Sequence, residues 1–100
     1  MPEAIVGLDV GTTVTKAVLF DLSGAELRVA EQAVRLHMPR PGWAELDPDE
    51  IWQAVVRVLH DLANGIAPGT CIRAVALATQ GGTLIPCRED GTPTYLSLIH

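Results

Sequence analysis

The chain has 100 residues, 48% of them hydrophobic, and a mean hydropathy of +0.26, enough for one small folded domain and too apolar for a disordered segment. Seven Lys and Arg against twelve Asp and Glu give a formal charge of −5 with the basic residues scattered, which argues against nucleic acid, since a phosphate-backbone footprint needs a positive patch. No apolar run approaches the ~18 residues of a membrane span and no secretion signal precedes the first apolar segment, so a soluble, cytoplasmic protein with no membrane partner is expected, Cys71 and Cys87 being reduced.

Residues 4–10 predict an apolar strand interrupted by Gly7 and Asp9, and residues 15–21 a second strand in which Ala17, Val18, Leu19 and Phe20 run together. Such runs suit a covered sheet. Leu22, Ser23 and Gly24 supply a turn, and residues 26–36 resume extended character. Three strands joined this tightly form an antiparallel meander, because a parallel crossover needs a dozen or more residues. The connector MPRPGWAELDPDE follows, where Pro39, Pro41 and Gly42 exclude helix and central strand and Trp43 is expected to pack against the body.

A helix over residues 48–64 is predicted next, with Asp47 as N-cap, Pro48 at the first position and Glu50 placed to complete a reciprocal capping box. Ile51, Trp52, Val55, Val58, Leu59 and Leu62 recur at spacings of three and four, leaving Gln53, Arg57, His60 and Asp61 on the other side, and Gly65 is placed to cap the C-terminus. Residues 72–78 read as a further buried strand, 79–83 as a polar break, 84–87 as a short strand and 89–91 as a turn. The apolar ending YLSLIH reads as the start of another element, so the chain is expected to be incomplete.

Chemistry concentrates in GLDVGTTVTKAVLFD. An ionised Asp9 inside an apolar strand needs water, a donor or a cation. Gly11 permits a positive φ or a close backbone approach, and Thr12 and Thr13 bring N–H groups and hydroxyls to the turn. Together they can cradle a phosphate, with Asp9 holding Mg²⁺ through water and Lys16 adding a positive charge. The purely structural alternative is a tight turn in which Asp9 pairs with Lys16. Neither GxxxxGK[ST] nor GxGxxG is present. His37, His60 and His100 have no zinc-like spacing to Cys or His, and helix capping accounts for most of Glu45, Asp47, Asp49 and Glu50 without a metal.

With the later segments the pattern becomes specific. GLDVGTTVTKAVLFD resembles the first phosphate motif of the sugar-kinase, Hsp70 and actin superfamily. PRPGWAELDPDEIW is similar to a signature of the FGGY family of carbohydrate kinases, and IRAVALATQGGTLIPCREDGTPTY resembles that family's next strand and substrate loop. The resemblance implies an α/β, ribonuclease-H-like fold with a mixed sheet and a packed helix. Residues 1–100 would form the N-terminal part of the first of two domains in an enzyme that transfers the γ-phosphoryl group of ATP to a sugar or polyol hydroxyl.

Residue by residue, the resemblance assigns Asp9 to Mg²⁺, Gly11, Thr12, Thr13 and Lys16 to the phosphates, and Gln80, Gly81 and Gly82 to the substrate loop. The family's proton-accepting carboxylate lies beyond His100, so no catalytic residue is expected here. TQGGT departs from the NQRET of glycerol kinases and the GQMHG of xylulokinases, which leaves the sugar open. The rival expectations are an Hsp70-like or activator-type ATP-binding module, and a non-catalytic fragment. Apolar surfaces meant for missing residues would make the isolated chain prone to self-association.

Overall fold

The computed structural model describes residues 2–42, 44–79, 88–92 and 97–99. Three long strands follow one another: β1 (Glu3–Val10), β2 (Val14–Asp21) and β3 (Glu26–Ala33). They pair antiparallel in sequence order, as their short connections require. At the β2–β3 turn the Asp21 carboxylate accepts the backbone N–H of Ser23 at 2.9 Å and of Ala25 at 3.0 Å, while Gly24 takes the left-handed φ of 91° that closes the reversal. The third strand ends three residues short of the expected Leu36.

The connector contains one short strand, β4 (Ala44–Leu46), and then helix α1 (Pro48–Asn64). The helix begins where the sequence places it: Asp47 is extended at φ −84° and its Oδ1 accepts the Asp49 N–H at 2.9 Å. The expected reciprocal arm is not made. Glu50 turns instead toward His37, 3.0 Å away, and Arg35, 3.6 Å away, because two side-chain partners, one of them the Arg35 guanidinium, outcompete a single backbone N–H. At the other end Gly65 does cap, but with φ −102° rather than left-handed geometry. Arg28 crosses this position to donate from Nε and Nη2 to the Asp61 carbonyl, and a β-carbon on Gly65 would collide with its guanidinium.

After α1 the chain crosses back as β5 (Cys71–Thr79), parallel to β1, giving a mixed sheet of order β3-β2-β1-β5. A final strand, β6 (Ser97–Ile99), pairs antiparallel with β4, so the apolar ending does form an element. The core lies between α1 and one face of the sheet, where Val58 and Leu62 meet Ala4, Val6, Leu8, Ala17, Leu19 and Ala30. Each buried valine or leucine here stabilises by roughly 1.5–3 kcal/mol, and each alanine by less.

The expectation of a buried strand at residues 72–78 is corrected: Ile72, Val75 and Leu77 are exposed, Leu77 by 65%. The cause is lateral placement, since α1 lies over β2 and β3 and leaves β5 at the sheet's edge. Cys71 is a free thiol, whereas Trp43, Cys87 and the expected strand over residues 84–87 lie outside the described residues. No helix among the described residues is long and apolar enough to cross a membrane.

Candidate functional site

The turn from β1 to β2 has tightly specified backbone geometry. The Gly11 N–H donates to the Val14 carbonyl at 3.0 Å, closing the reversal within four residues. A β-carbon on Gly11 would stand 2.8 Å from that same oxygen, nearer than side chains come to a carbonyl. Of the two reasons for glycine weighed from the sequence, close approach is therefore the operative one, and Gly11 has no left-handed φ. The Thr13 carbonyl accepts the Val34 N–H at 2.8 Å, which ties the turn to the residue just past β3. The Thr12 and Thr13 N–H groups have no acceptor among the described residues. Backbone N–H groups without an acceptor at a constrained turn are donors of the kind an anion can take up.

Asp9 and Lys16 face each other across the hairpin, one residue in from the turn. Strand alternation places both on the sheet face opposite Leu8, Ala17 and α1. Asp9 is exposed, so the desolvation problem posed by its apolar neighbours is solved by its position near the strand end. No ion pair within 4.0 Å joins it to Lys16 among the described residues, contrary to the purely structural alternative. A carboxylate oxygen, an ammonium and two N–H donors thus converge on one end of the sheet without neutralising one another. An exposed carboxylate is a hard oxygen donor of the kind Mg²⁺ takes through its water shell, and Gly11 keeps the adjacent backbone open to a phosphate, so these residues fit that pair of ligands.

Thr79, the last residue of β5, pairs with Val10. The chain therefore leaves β5 at the sheet end that carries the turn, although Gln80, Gly81 and Gly82 themselves lie outside the described residues. The hairpin and the end of β5 therefore share one end of the sheet, although they are about seventy residues apart in the chain.

A second grouping was not foreseen. His37 and Glu45 exchange backbone hydrogen bonds of 2.8 and 2.7 Å, folding the connector back on itself across the Pro39–Gly42 reversal. This brings the His37 imidazole to Asp47 and Glu50, with one ligating atom of each residue within 4.8 Å of the others. Sequence spacing treated His37 as solitary and the acids as capping groups. The available signal was the reversal PRPG, which predicts that residues some eight positions apart face one another.

The fold class follows from this arrangement: an antiparallel three-stranded meander, a crossover helix and a parallel fourth strand form a mixed sheet shared with sugar kinases of the actin- and Hsp70-like fold. Over residues 4–99 the chain matches the model of the FGGY family of carbohydrate kinases, N-terminal domain, and it belongs to that family. It is 36% identical over 98 residues to glycerol kinase from Lactobacillus acidophilus, covering 95% of this chain and 19% of that protein. It is 37% identical over 100 residues to glycerol kinase from Alkalilimnicola ehrlichii, covering 97% of this chain and 20% of the relative.

Among solved structures, gluconate kinase from Lactobacillus acidophilus superposes with a TM-score of 0.89 at 33% identity, covering 98% of this chain and 20% of that one. A ligand-bound xylulose kinase from the same organism gives 0.88 at 33% identity, covering 96% and 19%. The chain thus spans about one fifth of the length of the relatives it matches.

Proposed function

We propose that this chain is the N-terminal part of the first ribonuclease-H-like domain of an ATP-dependent carbohydrate kinase, and that it supplies the enzyme's phosphate- and metal-binding hairpin. The observation that carries this reading is the turn itself: Thr12 and Thr13 N–H groups without an acceptor among the described residues, flanked by Asp9 and Lys16, which form no ion pair there. The family membership and the glycerol, xylulose and gluconate kinases among its relatives support it.

In this reading the Thr12 and Thr13 N–H groups donate to phosphate oxygens of ATP, and Gly11 keeps the backbone close enough for them to reach. Lys16 adds a positive charge as the γ-phosphoryl group moves, and donors fixed in advance cost no reorganisation at that moment. Asp9 holds Mg²⁺ through water, and the bound ion would neutralise phosphate charge. Gln80, Gly81 and Gly82 are assigned to the substrate loop, and two residues without side chains there suit a bulky sugar or direct backbone contact. None of these groups removes the hydroxyl proton, and the base for that step lies in the remainder of the enzyme, with the second domain.

The enzyme is expected to act in the cytoplasm on a soluble sugar or polyol. Taken alone, the 100-residue chain is expected to be inactive and to associate with itself through exposed Ile72, Val75 and Leu77. The test is ADP release by the full-length gene product with ATP, Mg²⁺ and a panel of polyols, ketoses and aldoses. Sugar-dependent turnover that falls at least tenfold in Asp9→Asn, with the fold retained, supports the proposal. ATP hydrolysis indifferent to every sugar points to an Hsp70-like module instead, and unchanged turnover in Asp9→Asn removes this carboxylate from the site.

A further inference from the structure

We infer that His37, Asp47 and Glu50 form a binding site for one divalent transition-metal ion, of which Zn²⁺ is the best chemical match, separate from the phosphate turn. One donor atom from each residue lies within 4.8 Å of the other two, and His37 Nε2 is 3.0 Å from Glu50 Oε2. Ligands about 2.0–2.2 Å from a shared ion stand roughly 3–4 Å apart, so modest side-chain rotation brings all three into one coordination sphere.

The set is more than an acidic helix start. Its nitrogen donor comes from a different segment and is held in place by the reciprocal His37–Glu45 backbone bonds of 2.8 and 2.7 Å. Asp47 accepts the Asp49 N–H through Oδ1, so its second carboxylate oxygen takes no part in that cap bond. The His37 side chain is 23% exposed and that of Glu50 35%, so the donors are partly withdrawn from water while an entry path stays open.

Two carboxylates held this close repel each other, and the structure offsets them with Arg35, whose Nη2 is 3.6 Å from Glu50 Oε1. The Arg35 side chain is 74% exposed and can swing into solvent when a cation takes over its role. As the metal enters it replaces the His37 Nε2···Glu50 Oε2 hydrogen bond, and the proton of that bond moves to Nδ1 or to solvent so that both atoms become ligands. One imidazole nitrogen with two carboxylate oxygens suits Zn²⁺, Co²⁺ or Mn²⁺, whereas Mg²⁺ prefers oxygen throughout, so the site would stay distinct from the Mg²⁺ of the phosphate turn. Its occupant would pin the connector to the first turn of α1.

The experiment is Zn²⁺ titration of the chelator-stripped 100-residue chain by calorimetry, with Co²⁺ absorption as a second readout. The expected result is one ion per chain, a melting temperature raised by Zn²⁺ and not by Mg²⁺, and affinity reduced at least tenfold in both His37→Gln and Glu50→Gln. Asp49→Asn and His60→Gln should bind as the unaltered chain does. Equal affinity in His37→Gln and the unaltered chain, or no saturable binding, overturns the inference. Should His37→Gln fail to fold, the His37 imidazole resonances of the unaltered chain decide, since Zn²⁺ must shift them before those of His60.

Discussion

Substituting Gly11 by alanine tests the physical argument at the turn most directly. The added β-carbon would sit 2.8 Å from the Val14 carbonyl oxygen, a backbone atom that cannot rotate aside, so the turn itself must open by several tenths of an ångström. Opening it lengthens the 3.0 Å Gly11–Val14 hydrogen bond, whose loss costs about 0.5–1.5 kcal/mol of stability. It also moves the Thr12 and Thr13 N–H groups. Hydrogen bonds to a charged acceptor contribute about 1.5–3 kcal/mol each, so losing one weakens binding roughly 10- to 150-fold.

The assay is calorimetric titration of full-length enzyme with Mg·ATP, alongside its thermal melt. Gly7→Ala is the internal control. It lies on the same sheet face as Asp9, but its β-carbon would meet only the Phe20 ring edge, at 3.2 Å, and a side chain can yield. Gly11→Ala is expected to lose nucleotide affinity and Gly7→Ala to keep it. Affinity for Gly11→Ala within twofold of the unaltered enzyme refutes the reasoning.

Three other expectations concern the 100-residue chain itself. Thr15 is fully buried and its Oγ1 has no hydrogen-bond partner among the described residues, so Thr15→Val should raise stability by about 1 kcal/mol in urea denaturation; a loss would show that the hydroxyl is satisfied. Leu62→Ala, at a 1%-exposed position under α1, should cost about 2–5 kcal/mol, and a cost below about 1 kcal/mol would mean that the helix is not seated on the sheet. Asp21 is held below its ordinary pKa of 3.8 by hydrogen bonds from the Ser23 hydroxyl and then from the Ala25 N–H. Because the folded value is the lower one, this stabilisation is fully present above the ordinary value and disappears as pH falls through the folded one. Asp21→Asn should therefore flatten the acid limb of the melting-temperature profile, and an unchanged limb would place the titration elsewhere.

What could be read in the sequence was mostly local. The meander followed from connections too short for anything else, and the helix bounds followed from Asp47, Pro48 and Gly65, because caps act within one turn. Asp9, Gly11, Thr12, Thr13 and Lys16 were found together because they lie within eight positions. Nonlocal features were not legible in the same way. An apolar run such as residues 72–78 signals strand, but whether it is covered depends on where α1 lies, and α1 lies over β2 and β3. Glu50 occupied the right position for a capping box, yet a histidine thirteen residues earlier claimed its carboxylate. His37 escaped notice because its partners become neighbours only after the connector folds back.

The pairing of Val10 with both Thr15 and Thr79 separates two tasks that meet at one end of the sheet. The β1–β2 turn is determined by residues within a few positions of one another, whereas the end of β5 arrives there through a register fixed some seventy residues away. Either can change while the other keeps its shape. Under the proposed function, a scaffold wired this way would let the segment after Thr79 change, and the hydroxyl compound with it, while the turn assigned to the phosphates stays as it is. The glycerol, xylulose and gluconate kinases among its relatives have the substrate diversity that such an exchangeable segment permits.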